Sequence, residues 1–396
     1  MCPIDSAIVL LIGFFMQSKN KGALIMVVAV TRPTRIKISQ AAVTHNVTVT
    51  RQASGAKFMF LAVKANAYGF GLIPMAQAAI KAGVDGLAVA VLDEALALRQ
   101  AGITVPILIL GITLPQYAKL IADNDLIATV SDLDWLQTAQ QNLAGSQSTL
   151  QVNLGVDTGM GRIGFRNRES LSEAITYLSS QPTFFKYQSI MTHFSESDSL
   201  ATDYFQKQLA NWHRLTDGLP MPPMVHLANS GAAMYHADEI PTDFIRAGTV
   251  VYGIEPSRGE VLPDNYLKPV LTLETELIFV KQMPANVGIS YGHTYYTHEG
   301  EWVGTVPIGY ADGLPRPIQG FEVLVNGQKA PIIGQIAMDQ LMISLPEKLP
   351  VGTVVTIIGK QGQYENTLED VAQHVGLAPW VVATGLQDRL MRVLVD

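Results

Sequence analysis

Between residues 57 and 250, short apolar or β-branched runs recur eight times, separated by Ala/Leu/Gln-rich stretches of helical period. The runs are Phe58–Val63, Gly86–Val91, Ile107–Leu110, Ile127–Val130, Leu150–Val156, Tyr187–Thr192, Met224–Leu227 and Phe244–Ala247. Ile73–Ala82, Asp93–Ala101 and Ser170–Ser179 are helical stretches between them. Eight strand–helix units in about 200 residues predict a TIM-type (β/α)8 barrel. A doubly wound open sheet is the rival, and the count favours closure over it.

Past Pro256 the texture changes. Val270–Val280, Glu301–Ile308, Val323–Val325, Ala330–Ile336 and Val354–Ile357 read as strands between Gly, Pro and Asn turns. The expectation is a barrel domain over 33–265 and a mainly β domain over 266–396, with the alternating run Thr34–Ser39 (TRIKIS) able to pair with the second. A length of 396 residues accommodates two domains. Residues 1–26 stand apart as an atypical extension. Within them Ala7–Met16 (AIVLLIGFFM) is apolar but ten residues long, against about 20 for a spanning helix. No Lys or Arg precedes it, so the positive n-region that a secretion signal requires is missing. A weak membrane-surface anchor is its alternative reading.

A net charge of −7 and the lack of a dense basic run argue against a nucleic-acid binder. Cys2 is the single cysteine, so internal disulfides and thiolate metal clusters are excluded. That fits a reducing cytoplasm, and no metal site is expected.

In a (β/α)8 barrel the reacting groups gather where strands end. Lys64 follows the first run, within Val63–Gly71 (VKANAYGFG). Asp157–Arg162 (DTGMGR) follows the fifth, His193 the sixth, Asn229 and Ser230 the seventh, while Arg246, Gly248 and Thr249 mark the eighth. Each has a plainer role open to it. The lysine can start a surface loop, the glycines can simply turn, His193 can be a satisfied core histidine, Asn229-Ser230 can cap a helix, and Arg246 can be an ion-pair partner. Their chemistry is nonetheless complementary. A helix N-terminus with Ser230 and free N–H groups at Gly248 and Thr249 suits a phosphate. A lysine facing it suits imine formation. Together they suggest pyridoxal phosphate. In the β region, Ile289–Gly292 (ISYG), Ile308–Gly313 (IGYADG) and Ala337–Gln340 (AMDQ) are weak motifs in isolation.

From about Arg32 to Val395 the chain resembles the alanine racemase family of fold-type III pyridoxal phosphate enzymes. The resemblance is carried in order by VKANAYGFG, EALALRQAG, DTGMGRIGF, MTHF, HLANSGA, RAGTVVYGIEPS, LKPVLTLET, ISYG, GTVPIGYADG and AMDQ. It implies a barrel plus a β domain, a homodimer, and interconversion of L- and D-alanine for peptidoglycan in the cytoplasm. It implies that Lys64 holds the cofactor and is one base, and that Tyr291 from the partner subunit is the other. Arg246 would bond the pyridine nitrogen with His193 behind it. Tyr68, Asn229, Ser230, Gly248, Thr249 and Tyr252 would complete the cofactor site. Arg162 and the Met338 N–H of the partner would receive the substrate carboxylate, with Tyr310, Asp198 and Arg316 at the entrance. A guanidinium at the ring nitrogen favours racemisation, because same-fold decarboxylases carry an acidic residue there.

Five positions depart from the family pattern. Phe70 replaces a His, Gly155 replaces a lysine, often carbamylated, that steadies the carboxylate-binding arginine, and Gln335 and Ala337 replace Arg and Cys. Asp388 aligns with a Tyr that touches the phosphate and narrows the entrance. These changes bear on rate, affinity and substrate range. Serine, basic amino acids, or a cofactor-binding paralogue of weak turnover are the alternatives they open.

Overall fold

The structure, a computed structural model, describes residues 27–240, 243–261 and 266–396. The expected extension over 1–26 lies outside the described residues. The chain forms two compact units: one holds the described residues up to Lys37 with Thr272–Val393, the other Ile38–Leu271 with Leu394–Asp396.

β1 (Arg35–Ser39) belongs to a large sheet. Eight parallel strands then follow, alternating with helices: β2 (Phe58–Ala62), β3 (Gly86–Val89), β4 (Ile107–Ile109), β5 (Ile127–Val130), β6 (Leu150–Gly155), β7 (Phe185–Met191), β8 (Met224–His226) and β9 (Phe244–Ala247). Their hydrogen-bonded order is β8-β7-β6-β5-β4-β3-β2-β9. The ends of that order meet through the Arg246 N–H, which donates to the Ala228 carbonyl at 3.0 Å. The result is the expected barrel, closed apart from this seam. All eight anticipated strands are present, some a residue or two shorter.

Phe60, Ala88, Leu108, Ile127 and Met224, one from each of five strands, form a buried apolar cluster. Beside it Ser189 donates to Asn153, Asn153 to Thr129, and Thr129 to the Ile109 carbonyl, at 2.9, 3.0 and 2.6 Å. All three side chains are fully buried and each has a partner, so none carries the cost of an orphaned polar group. The helix Leu92–Gln100 works at both barrel ends. Its Glu94 accepts N–H groups from loops after β2 and β3. Its Arg99 donates to the carbonyls of Ile103, Val105, Asn124 and Asp125, in the segments before β4 and β5.

The remaining strands are β10 (Leu271–Glu276), β11 (Phe279–Met283), β12 (Glu301–Val306), β13 (Glu322–Val325), β14 (Gln328–Ile333), β15 (Leu341–Leu345), β16 (Val354–Gln361), β17 (Tyr364–Asn366) and β18 (Met391–Val395). Nine strands run in the order β11-β12-β15-β14-β13-β16-β10-β1-β18, and β17 adds to β16. Val270–Val280, expected as one strand, is two. β10 pairs with β16 and β11 with β12. The chain changes neighbours at Leu277 and Ile278, whose N–H groups donate to Thr353 and Thr305. Two short helices, Leu368–Val375 and Pro379–Gly385, follow β17.

Candidate active site

Lys64 stands two residues beyond the end of β2, and the chain behind it takes an unusual path. Ala65, Asn66, Ala67 and Tyr68 are consecutive and all have φ between 52° and 54°. This is one left-handed helical turn built without glycine, in a conformation costing about 1–2 kcal/mol per L-residue. Its surroundings hold it. Asn66 Oδ1 accepts from the Leu72 N–H and Glu94 Oε1 from the Ala65 N–H, each at 2.7 Å. The Tyr68 and Phe70 rings pack against Tyr252, each with centroids 4.9 Å away. The Tyr252 hydroxyl donates to the Ala62 carbonyl at 2.8 Å. Phe70 and Tyr252 are fully buried, so Phe70 is a core side chain here.

Burial and then Arg162 lower the Lys64 pKa, with a smaller contribution from Arg246, while Glu94 opposes them. Burial pushes the Tyr68 phenol up to about 12, so it remains a donor. A Cβ placed on Gly248 would lie 3.3 Å from the Tyr68 hydroxyl and 3.5 Å from Ser230 Oγ. The Gly248 N–H donates to Ser230 Oγ at 2.8 Å. These groups surround one bare stretch of backbone. Asn229, by contrast, spends its side chain on structure: Oδ1 caps Ala232 and accepts from Ser197, and Nδ2 donates to the Phe194 carbonyl.

Arg246 can be accounted for donor by donor. A guanidinium has five N–H groups and no acceptor. Nη1 serves the His226 carbonyl and, at 2.8 Å, His226 Nδ1. Nη2 serves the Thr192 and Leu227 carbonyls at 2.7 and 3.1 Å, with His193 Nδ1 more distant at 3.4 Å. Among the described residues nothing accepts from Nε. His226 is thus a second imidazole behind Arg246, in closer contact than the expected His193. Burial, then Arg246, holds His226 well below the usual histidine value. His193 is drawn down to about 3 by burial, then Arg246, Arg162 and Lys64. Both imidazoles are neutral.

Arg162 is exposed and, among the described residues, its guanidinium has no hydrogen-bond or ion-pair partner. Its loop is fixed at Gly164, where φ is +123° and a Cβ would lie 2.5 Å from the Asp157 nitrogen. Gly155, Met160, Arg162, Met191 and His193 line one cavity. At Gly155 itself a Cβ would meet only ordinary contacts at 3.5 Å and beyond. Asp198, expected at the entrance, is exposed overall, and partial burial of its carboxyl raises its pKa.

In the β-rich unit, Tyr291, Tyr310 and Met338 are exposed at 69, 40 and 53%. The Tyr310 and Ala311 N–H groups donate to the Ala337 and Met338 carbonyls. Gly309 is pressed against the same two carbonyls, where no Cβ fits. Arg316 donates to Gln335 at 3.0 Å, and Gln335 also neighbours Gly292. Asp312, fully buried, takes both Nη groups of Arg32 and faces Arg389 at 3.7 Å. Arg389 reaches Asp339 at 2.7 Å, and Asp388 lies 3.5 Å from Arg392. The motifs ISYG, IGYADG and AMDQ thus support one another within this unit.

The sequence reading did not pick out His226 or Glu94. His226 sits inside a strand, where a histidine reads as core. Glu94 opens EALALRQAG, and its position two residues into a helix that follows a barrel strand was the available signal.

Residues 38–256 match the family described as "Alanine racemase, N-terminal domain", and residues 270–394 match "Alanine racemase, C-terminal domain". A protein named lysine racemase from Oenococcus oeni is 50% identical, over 94% of this chain and all of that one. Among solved structures, an alanine racemase from Oenococcus oeni is 48% identical with a TM-score of 0.89, covering 93% of this chain and all of that one. A histidine racemase from Leuconostoc mesenteroides is 38% identical with a TM-score of 0.91, covering 94% of this chain and all of that one. Members of the family depend on pyridoxal phosphate. With both family domains matched in order and the barrel and β-rich unit in place, the chain belongs to the alanine racemase family.

Proposed function

We propose that this racemase interconverts L- and D-alanine, with Lys64 and Tyr291 exchanging the α-proton from opposite faces. The observation that carries the reading is the set around Lys64. Burial and Arg162 lower its pKa, and beside it, among the described residues, the Arg162 guanidinium has no partner and the buried Arg246 keeps one N–H unspent.

These residues fit the cofactor. Tyr68, Ser230, Gly248 and Thr249 would hold its phosphate, Arg246 Nε would donate to the ring nitrogen, and Lys64 would carry it covalently. When bound, the cofactor supplies an electron-withdrawing ring that acidifies the proton on the substrate α-carbon. Arg162 receives the carboxylate through charge-assisted hydrogen bonds, joined by the Met338 N–H. Lys64 and Tyr291 have reference pKa values near 10, so a base at neutral pH needs a lowered group. Burial and the two guanidiniums lower Lys64. Arg246 does not release a proton to the ring, which limits the spread of charge away from the α-carbon and favours return of the proton there.

The reading includes a homodimer. Tyr291, Tyr310 and Met338 are exposed on their own unit, and in the proposal each subunit presents them to the other's barrel mouth. The activity is cytoplasmic and supplies D-alanine for peptidoglycan. No helix among the described residues is long and apolar enough to cross a membrane.

A basic amino acid is the second reading. The space at Gly155 beside Arg162 favours it, as does likeness to a protein named lysine racemase. The test is proton NMR of L-alanine with protein and pyridoxal phosphate in deuterated water, with chiral analysis of the product. Loss of the α-proton signal with D-alanine appearing supports the first reading. A persistent signal, with L-lysine exchanging instead, replaces it by the second. Exchange of neither overturns both.

A further inference from the structure

Glu94 reaches across two strand ends. Oε1 accepts the Ala65 N–H at 2.7 Å, and Oε2 accepts the N–H groups of Ala90 at 2.9 Å and Val91 at 3.4 Å. Ala65 is the first residue of the left-handed turn and the neighbour of Lys64. That turn is costly for L-residues and persists only where its surroundings over-determine it. A carboxylate accepting N–H groups makes the stronger, charge-assisted kind of hydrogen bond. We propose that Glu94 is a positioning residue for Lys64: it locks the entry to the left-handed turn and places a fixed negative charge beside the amine.

The inference rests on the reading of Lys64 as the cofactor-binding base. The groups facing Lys64 come from several elements. Arg162 lies after β6, Arg246 on β9, His193 after β7, Tyr68 on the same turn with its ring centroid 6.0 Å from Nζ, and Glu94 on the helix after β3. Both guanidiniums favour the neutral amine, and the imidazole of His193 is uncharged. Glu94 is the anion that opposes them. Without it, Lys64 would sit opposite two cations with no counter-charge. Its amine would then deprotonate at lower pH.

Two substitutions separate charge from reach. Glu94→Gln retains an oxygen for the Ala65 N–H, removes the charge, and gives up the acceptor for the Ala90 and Val91 N–H groups, which lie away from the turn. Glu94→Asp retains the charge and withdraws it by one methylene. The readout is the apo protein, treated with an amine-selective acylating reagent across pH, with modification of the Lys64 peptide quantified by mass spectrometry. For Glu94→Gln the midpoint is expected to fall by about half a unit or more, in keeping with nearby opposite charges, and for Glu94→Asp to stay near wild type. In parallel, borohydride trapping of pyridoxal phosphate on Lys64 is expected to slow in Glu94→Asp. An unmoved midpoint in Glu94→Gln, or an equal shift in both variants, overturns the charge role. Trapping at the wild-type rate in Glu94→Asp overturns the locking role, and that arm stands if Glu94→Gln does not fold. If the wild-type protein traps the cofactor elsewhere than Lys64, the underlying reading fails instead, which the wild-type control reveals by itself.

Discussion

Arg246 Nη1 lies 2.8 Å from His226 Nδ1, with both side chains buried. Arginine has no acceptor, so Nδ1 must offer its lone pair, the imidazole proton sits on Nε2, and the ring is neutral. A protonated His226 would oppose a guanidinium in a buried site.

Acidification should therefore destabilise the fold. His226 is held well below its unfolded value near 6.5. The unfolded chain binds the proton first, so stability present above that value is lost as pH falls below it. The loss from this histidine grows as pH falls further below the unfolded value. Chemical denaturation of the apo protein from pH 7 to pH 5 measures it, and His226→Asn should make the dependence shallower, with His193 supplying part of what remains. An equally steep profile in that variant would remove His226 as the cause.

Ala65→Gly should raise thermal stability slightly. Ala65 is exposed, with φ 53°. Glycine relieves about 1–2 kcal/mol of left-handed strain, offset in part by its greater freedom in the unfolded chain. The expected gain is below about 1 kcal/mol, with reduced turnover because the lysine is held less firmly. Ala65→Val should destabilise. Calorimetry that ranked valine above glycine would mean the turn is not strained.

Lys64→Ala should abolish exchange of the α-proton from both enantiomers. Tyr291→Phe should impair removal from L-alanine more than from D-alanine. The Tyr291 side chain is exposed, so the fold should tolerate the change. Solvent-deuterium incorporation from each enantiomer is the measurement, and equal impairment would contradict the opposite-face assignment.

Gly155→Lys should tighten alanine binding where bicarbonate lets the new amine become an anionic carbamate. The backbone leaves room for a Cβ there, and an anion would steady the unpaired Arg162. The expected result is a lower KM for alanine in bicarbonate buffer. A KM indifferent to both substitution and bicarbonate would show that Arg162 needs no support.

Asp312→Asn should cost about 3 kcal/mol in urea titrations, the range for breaking a buried ion pair. Asp312 is fully buried between Arg32 and Arg389. A loss near zero would show that these arginines settle on other acceptors.

The barrel was legible because strand and helix periods differ and the strand runs recur eight times, as in Ile127–Val130 and Phe244–Ala247, which match to the residue. In the β-rich unit the signals are shorter. Leu341–Leu345 (LMISL) shows one polar residue in five, so its alternation is hidden although burial alternates. Leu368–Val375 carries a Thr367–Asp370 capping box and stops at Gly376, ordinary signals that a strand-rich neighbourhood masks. The left-handed turn could not be read at all. Alanine disfavours it, and tertiary contacts such as those from Glu94, Leu72 and Tyr252 impose it. The same holds for His226, whose role appears only once Arg246 crosses from the neighbouring strand. Motif order located Lys64, Ser230 and Gly248 at the same rim, but not which side chains were already spent on the scaffold, as Asn229 is.

The barrel's unfinished seam gives those spent and unspent groups a further meaning. β8 and β9 meet there through Arg246, and Ser230 and Gly248 face each other just beyond it. A phosphate gripped by both would act as a rivet across the last open stave. Cofactor binding and mechanical completion would then coincide: the wall without a strand ladder is the wall that the passenger would fasten.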